Sequence, residues 1–225
     1  MNVAIFGSSG MVGQGVLLEC LRDPGVESIL TVVRKPYGPQ RPNFPNQQKI
    51  REIVHADFQD FTAVEPELTG LDACYFCLGA GSSGMSEADY TRITYGITVA
   101  AVRTLVKASP NLTFIFISGE GSDSTEKSRI MWARVKGKAE NAVLGAGFKS
   151  AYVFRPGFIE ALDGIESRTP LYRKLYKLFA TLIFLIKKFM PQRITNTQQI
   201  GRAMLQVTRN GYSKPILSTA DLTTF

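Results

Sequence analysis

A glycine-rich turn directly after the first apolar run is the feature that most constrains the fold of this chain. Asn2–Phe6 is a short β-type run, Gly7, Gly10 and Gly13 follow at intervals of three, and an apolar pattern with helical spacing covers residues 12–21. Glycine permits the tight turn that carries a strand directly into a helix. The sequence therefore predicts strand, turn and helix in immediate succession.

The same alternation continues along the chain and predicts an α/β fold. Buried apolar strands that alternate with helices are typical of a parallel sheet covered on both faces, here a doubly wound, Rossmann-like sheet. The composition, 44% hydrophobic and 20% charged over 225 residues, excludes disorder, collagen and coiled coil. Strands are predicted near 28–33, 50–55, 72–78, 112–118 and 150–154, and helices near 61–68, 86–107 and 126–144.

The pattern changes after residue 156 and predicts an addition to the sheet rather than a second domain. Two helices, near 171–190 and 197–209, precede a last short strand near 215–217. We expect residues 1–225 to form a single NAD(P)-binding domain, in which about 157–225 make a smaller, mostly helical substrate lobe. The segment 36–46 contains four prolines and is predicted to be an exposed loop.

The first turn has the context that a dinucleotide-binding motif requires, since it follows a strand and opens a helix. Glycines allow the backbone to approach a pyrophosphate, whose charge is stabilised by free N–H groups and by the helix dipole. The residues predicted to bind the cofactor here are Gly7, Ser8, Ser9, Gly10, Met11, Val12 and Gly13.

The end of the second strand indicates which nicotinamide cofactor is preferred. Arg34 lies 21 residues after Gly13 and is followed by Lys35, and no carboxylate stands beside them. An acidic residue at this point accepts from the ribose 2′-OH of NAD, whereas an arginine accommodates the 2′-phosphate of NADP. The sequence therefore predicts NADP, with NAD as the less favoured cofactor.

These motifs together resemble the atypical and extended branch of the short-chain dehydrogenase/reductase superfamily, especially its small epimerase-like and Tat-interacting-protein-like members. The resemblance covers residues 1 to about 160 and includes the G-x-x-G-x-x-G spacing. It implies that Asp57, followed by Phe58, contacts the adenine and that Leu78, Gly79 and Ala80 pass beside the cofactor. It also implies a catalytic Ser118, a Lys136 that holds the nicotinamide ribose, and contacts from Pro156 and Gly157 at the nicotinamide end.

The sequence departs from this family at the centre of the chemistry. The Y-x-x-x-K motif reads Trp132-Ala133-Arg134-Val135-Lys136, with tryptophan in the position of the catalytic tyrosine. An indole N–H is no usable acid, and loss of a general acid costs about 10²–10⁴-fold in rate. The alternative donors are Ser118, Glu120, Ser122, Asp123, Tyr90 and Tyr95, and the sequence does not choose among them. Thr94 is a second departure, at a position where extended members often carry asparagine.

Charge is distributed unevenly and bears on the partners. The chain has 26 Lys and Arg against 19 Asp and Glu, and ten of the basic residues lie between Ser167 and Ala220, where no acidic residue occurs. This asymmetry suggests an anionic small-molecule substrate, a membrane surface or an acidic partner. The predicted helix 171–190 is basic and amphipathic, so a pocket wall, a dimer face and, less favoured, a membrane surface are its alternative roles. No DNA-reading helix pattern is present, which argues against a nucleic-acid partner. Monomer and homodimer both remain open.

The remaining reactive residues are interpreted as structural. His55 is the single histidine, which excludes a histidine-rich metal cluster, and no metal site is predicted. Cys74 and Cys77 should point to opposite faces of a strand as buried thiols. Three cysteines and the absence of a signal-peptide pattern lead us to expect a cytoplasmic location.

Two functions of different classes follow, and a third is weaker. The favoured hypothesis is an NADP-dependent oxidoreductase or epimerase-like enzyme that acts on a small substrate. The alternative is a regulatory protein with little or no catalysis that senses NADP and binds a partner, and the tryptophan at position 132 gives it weight. The third is a peripheral membrane or scaffold protein.

Overall fold

A computed structural model describes residues 1–37, 44–165 and 193–225. The predicted helix 171–190 and the middle of the proline-rich loop lie outside these residues. The strands are β1 Asn2–Phe6, β2 Ser28–Val33, β3 Ile50–Val54, β4 Ala73–Phe76, β5 Thr113–Ile117, β6 Ser150–Arg155, β7 Phe158–Glu160, β8 Ile194–Asn196 and β9 Ile216–Ser218. The α-helices are α1 Met11–Arg22, α2 Glu87–Thr91, α3 Ile97–Ala108, α4 Met131–Leu144, α5 Thr197–Asn210 and α6 Thr219–Leu222.

Seven parallel strands form the main sheet in the order β3-β2-β1-β4-β5-β6-β9, which confirms the predicted Rossmann-like α/β fold. The strand order reverses between β1 and β4, and ligands of such sheets bind in the crevice outside the carboxyl ends of the strands at this reversal. None of the helices within the described ranges is long and apolar enough to cross a membrane.

Alternating side chains of the strands divide the core into two apolar layers. Val3 and Ile5 face one layer, together with residues of α1, α5 and α6. Ala4 and Phe6 face the other layer, with the 3-10 helix Thr62–Leu68, α3 and α4. Because successive strand residues point to opposite faces, a continuous apolar run supplies both layers at once.

The described C-terminal elements belong to the same layers as the rest of the sheet. Helix α5 packs against α1, and β9 pairs with β6 as the seventh strand. Sequence reasoning missed the small parallel sheet of β7 and β8, because strands of three residues carry too little periodicity to be recognised. Whether residues 157–225 also form a substrate lobe stays a prediction.

Two predicted helices differ from the structure at identifiable places. Helix α4 begins at Met131 and not near Glu126, because the carboxylate of Asp123 accepts hydrogen bonds from the backbone N–H groups of Lys127 and Ser128 and holds this segment in turns. The predicted helix 86–107 is interrupted by a π-helical turn over Arg92–Gly96. Turns of this kind are rare in proteins, and those that do occur are often located at functional sites.

Close packing of α1 on α5 depends on Gly15, and this contact places the start of α1. A Cβ atom at Gly15 would lie 2.4 Å from Cβ of Thr197 and 3.0 Å from its carbonyl oxygen. We expect Gly15→Ala to lower the free energy of unfolding by about 1–3 kcal/mol through overpacking. Urea denaturation measures the loss. Gly81→Ala is the control, because no atom lies within 4 Å of its Cβ position; an equal loss in both variants would contradict this account.

Candidate functional site

The glycine-rich turn is shaped by close contacts of its own backbone. Gly7 has a φ of +80°, and a Cβ atom there would lie 2.8 Å from the backbone carbon of Cys77. A Cβ atom at Gly13 would lie 2.1 Å from the carbonyl oxygen of Gly7, so both positions require glycine. The Gly10 N–H donates to the Gly7 carbonyl at 2.9 Å. The turn therefore holds the start of α1 against the ends of β1 and β4.

A groove of about 560 Å³ opens beside this turn. It contains residues from the turn, from the end of β2, from the loop after β4, from the end of β5, from α4 and from the start of β7. Twelve of the predicted site residues line it: Gly7, Ser9, Gly10, Met11, Val12, Arg34, Leu78, Gly79, Ala80, Ser118, Lys136 and Gly157. Residues that are distant in sequence thus meet at the switch point of the sheet.

Seven predicted site residues are not part of the groove lining: Ser8, Gly13, Lys35, Asp57, Phe58, Trp132 and Pro156. The carboxylate of Asp57 accepts from the backbone N–H of Gln59 at 2.8 Å. Phe58 is buried, and its ring packs 5.3 Å from that of Phe61. Lys35 is exposed. The geometry therefore gives Asp57 a turn-forming contact and Phe58 a place in the core, and their contact with adenine stays a prediction.

Ser8 belongs to the glycine-rich turn, but it is buried and is not part of the groove lining. Its hydroxyl is buried and has no hydrogen-bond partner among the described residues. Its carbonyl accepts from the hydroxyl of Tyr37, a residue that sequence reasoning missed because it belongs to the proline-rich loop. A buried hydroxyl without a hydrogen-bond partner costs free energy. The turn therefore contains a buried hydrogen-bond donor that no described residue satisfies.

A buried polar network lies at the end of β5. The Ser118 hydroxyl donates to the carboxylate of Glu140 and lies 2.9 Å from the hydroxyl of Ser122. Glu140 is fully buried on α4 and forms an ion pair with Arg155 at the end of β6, with Nη2 at 2.5 Å from Oε2 and Nε at 3.0 Å from Oε1. Ser118 is thereby connected through one carboxylate to a guanidinium group.

Sequence reasoning missed Glu140, although a signal was present. Trp132, Lys136 and Glu140 follow one another at intervals of four residues and therefore share one face of α4. A glutamate on the same face as the predicted catalytic lysine could have been included in the site. Its complete burial, and its pairing with Arg155 from another element, required the structure.

Lys136 is placed in the groove without a direct ion-pair partner among the described carboxylates. Its Nζ lies 5.6 Å from the centre of the Phe116 ring. Burial lowers the pKa of the Lys136 ammonium to about 8, although the negative charge of Glu140 acts in the opposite direction. The charged and neutral forms of this lysine are therefore both accessible near neutral pH.

Trp132 is not part of the groove lining. Its ring packs against the loop after β5, where Cη2 lies 3.1 Å from the Cβ position of Gly121, a glycine with a φ of +87°. Spacing of four residues aligns Trp132 and Lys136 on the helix, yet only Lys136 lines the groove. The indole accordingly does not occupy the place expected of a proton donor to a bound substrate.

The other candidate donors lie outside the groove lining, apart from Ser118. Tyr90 is buried, and burial raises the pKa of its hydroxyl. Tyr95 lines a second cavity of about 610 Å³, and the centre of its ring lies 4.5 Å from Nζ of Lys138. The carboxylate of Asp123 accepts hydrogen bonds from backbone N–H groups. Glu120 is exposed, and its carboxylate lies next to Gly157. These side chains are not part of the groove lining, although Glu120 and Ser122 lie against the lining residues Gly157 and Ser118.

Cys74 and Cys77 lie on opposite faces of the sheet, as the strand pattern predicts, but of the two only Cys74 is fully buried and Cys77 is partly buried. Cys74 belongs to one apolar layer and Cys77 packs against the other. Burial raises the pKa of both thiols, which keeps them protonated. The backbone at Cys77, by contrast, contributes to the groove through its contact with Gly7.

Comparison with known proteins identifies the family to which the chain belongs. No family model matches the chain. It is 30% identical over 170 residues to the mitochondrial protein fmp52 of Aspergillus niger, a match that covers 74% of this chain and 70% of that protein.

The chain belongs to the FMP52 family.

Two other members of this family give the extent of the similarity. The FMP52-2 protein of Scheffersomyces stipitis is 32% identical over 158 residues, which are 69% of this chain and 65% of that protein. The fmp52 protein of Emericella nidulans is 29% identical over 70% of this chain and 66% of its own length. The chain thus matches slightly less than two thirds of these relatives. All three proteins are named mitochondrial, and this finding contradicts the predicted cytoplasmic location.

Solved structures confirm the resemblance to short-chain dehydrogenases at the level of the fold. A short-chain dehydrogenase/reductase from Mycobacterium ulcerans aligns with a TM-score of 0.69 and 14% identity, over 99% of this chain and 90% of that one. The enzyme WbmF of Bordetella bronchiseptica, solved in complex with NAD⁺, aligns with a TM-score of 0.68 and 14% identity over 99% and 76% of the two chains. The fold of this chain is therefore that of solved short-chain dehydrogenases and of an NAD-dependent epimerase/dehydratase.

The Glu140 network makes a prediction for stability. We expect Glu140→Gln to lower the free energy of unfolding by about 2–3 kcal/mol, because the Arg155 guanidinium loses its charged partner; fully buried pairs lose about 3–5 kcal/mol, but the Arg155 side chain retains 22% exposure. Chemical denaturation tests this. Glu126→Gln is the control, since Glu126 is exposed and its replacement can still accept from Asn141. If both variants unfold at the same denaturant concentration, the network does not stabilise the fold.

Proposed function

We propose that this protein is an NADP-dependent oxidoreductase of the short-chain dehydrogenase type that acts on a small carbonyl or hydroxyl compound. One observation carries the proposal: a single groove brings together the glycine-rich turn, Arg34, Ser118 and Lys136. Backbone donors, a fixed cation and two proton-bearing groups are the set that a nicotinamide cofactor and a reacting carbonyl require.

The residues present fit such a cofactor. The backbone approaches its neighbours closely at Gly7 and Gly13, and the N-terminus of α1 follows this turn. Helix N-termini favour the negative charge of a pyrophosphate. Gly10 and Met11 would face that group. Arg34 would bind the 2′-phosphate, and no carboxylate occurs among the described residues of the groove lining to compete with it. This arrangement supports NADP over NAD.

Hydride exchange at a carbon atom is the chemistry that a bound nicotinamide supplies. The protein must then orient the carbonyl or hydroxyl group and move a proton at its oxygen. Ser118 at the end of β5 and Lys136 on α4 are the polar residues that these two elements contribute to the groove lining. We assign orientation of the substrate oxygen to Ser118 and contact with the cofactor ribose to Lys136.

A second function is favoured by the position of Trp132. Its indole packs on Gly121 and stands where the short-chain family carries tyrosine, so the groove lacks the usual acid. A protein that binds NADP and signals its occupancy to a partner would need the cofactor contacts and no proton donor. This regulatory function and the enzymatic one differ in whether bound NADPH is consumed.

The cofactor assignment is tested at Arg34. Arg34→Asp removes a charge-assisted contact with the 2′-phosphate and adds repulsion, so we expect NADPH affinity to fall about 10-fold or more while NADH affinity changes little. Fluorescence titration measures both affinities. Lys127→Asp makes the same change of net charge on an exposed loop and should affect neither. Equal losses for NADPH and NADH in Arg34→Asp would refute the assignment to NADP.

The reaction is tested by whether bound NADPH is consumed. We expect the unmodified protein to oxidise NADPH in the presence of 4-nitrobenzaldehyde as a generic carbonyl probe, with the alcohol formed in equal amount. Absorbance of NADPH and chromatography of the product follow the two sides of the reaction. The same assay with NADH is the matched control and should be slower. Tight binding of NADPH without oxidation would instead support the regulatory function.

A further inference from the structure

Few side chains in the groove carry a proton that a substrate oxygen could accept. Among the described lining residues these are Ser9, Arg34, Cys77, Ser118 and Lys136. Such a proton is required because a carbonyl oxygen that has become negative must be protonated before the product leaves.

Several of these groups are unsuited to give up a proton. The guanidinium of Arg34 stays charged at any pH the protein tolerates. Burial raises the pKa of the Cys77 thiol, so that its proton is held tightly. Ser9 belongs to the glycine-rich turn, which the proposed function assigns to the pyrophosphate. The Ser118 hydroxyl already donates to the carboxylate of Glu140.

Lys136 remains, and we propose that its ammonium group is the proton donor, in the role that the short-chain family gives to tyrosine. This inference rests on the proposed function. When the carbonyl carbon accepts a hydride, the π electrons of the C=O bond move to oxygen. That oxygen forms its O–H bond as an N–H bond of Lys136 breaks, and the resulting neutral amine regains a proton from water.

The surroundings of Lys136 suit this role. Phe116 on β5 presents an aromatic ring 5.6 Å from Nζ, and no described carboxylate forms an ion pair with the ammonium. Glu140 lies one turn further along α4, but its carboxylate is paired with Arg155 from β6. The ammonium is therefore held near a negative charge without being neutralised by it.

The acidic residue that α2 brings to α4 is also paired. On the side of α2, Glu87 forms an ion pair with Arg134, at 2.6 Å. The cation of Arg34 lines the same groove as Lys136. Burial lowers the pKa of Lys136 to about 8, while Glu140 keeps the ammonium form populated at neutral pH. A donor whose pKa is close to the working pH is the most effective one.

The protonation of Lys136 can be measured directly on the unmodified protein. Acetic anhydride is added in trace amounts between pH 6 and 11, with N-acetyl-lysine amide as internal standard, and labelling at Lys136 and Lys138 is quantified by peptide mass spectrometry. We expect the labelling of Lys136 to reach half its maximum near pH 8, against about 10.4 for the standard. A midpoint for Lys136 equal to that of the standard would overturn the proposal.

Transfer of the proton is tested by Lys136→Arg, which keeps the positive charge but cannot release a proton. We expect NADPH to remain bound while single-turnover reduction of 4-nitrobenzaldehyde slows by about 10²-fold or more. In the unmodified protein the rate should fall as the pH rises above about 8, because only the ammonium form donates. Lys138→Arg, on the exposed side of the same helix, should retain both the rate and its pH dependence.

The two proposals fail in different ways. Absence of NADPH binding, or binding without any oxidation in the unmodified protein, contradicts the enzymatic function, and with it the donor role. Normal turnover in Lys136→Arg contradicts the donor role alone and leaves the oxidoreductase in place. Because the labelling experiment uses the unmodified protein, a Lys136→Arg variant that fails to fold does not prevent a decision.

Discussion

The contact between the glycine-rich turn and the end of β4 is the constraint on which the site depends. At Gly7 and Gly13 the backbone approaches its neighbours so closely that even a methyl group would collide with carbonyl atoms. The start of α1 is thereby fixed at the switch point of the sheet, where the loops after β2, β4 and β5 converge. The groove lies where these loops meet the glycine-rich turn.

A second constraint lies at the other wall of the groove. Glu140 binds Ser118 at the end of β5 and Arg155 at the end of β6, so one carboxylate on α4 joins three elements. The desolvation of a buried carboxylate is tolerated because a guanidinium and a hydroxyl satisfy it. This pairing also leaves Lys136 without a carboxylate of its own. Stability of the helix-to-sheet packing and the protonation of Lys136 are therefore linked through a single residue.

Membership of the FMP52 family and the dehydrogenase fold place different limits on function. The family relatives are similar over about two thirds of their length, and the solved structures share the fold at low sequence identity. The groove follows from the fold itself, because it lies at the switch point of the sheet. Trp132 is not part of the groove lining, so Lys136 is the ionisable residue of α4 among the described lining residues.

Local sequence patterns determined most of the fold, whereas long-range packing decided the chemistry of the site. The spacing of Gly7, Gly10 and Gly13 and the apolar runs predicted the strand, turn and helix order, since both patterns act over a few residues. The same reasoning placed Arg34, Ser118 and Lys136 at strand ends or on the following helix, and the structure brings all three into one groove.

Tertiary structure alone revealed the pairing of Glu140 with Arg155, the hydrogen bond from the Tyr37 hydroxyl to the glycine-rich turn, and the packing of Trp132 on Gly121. Helical spacing gave Trp132 and Lys136 a common face, but it did not specify which neighbour each side chain would contact. Those contacts depend on elements far apart in the chain, and their desolvation and charge determine which group can hold or release a proton.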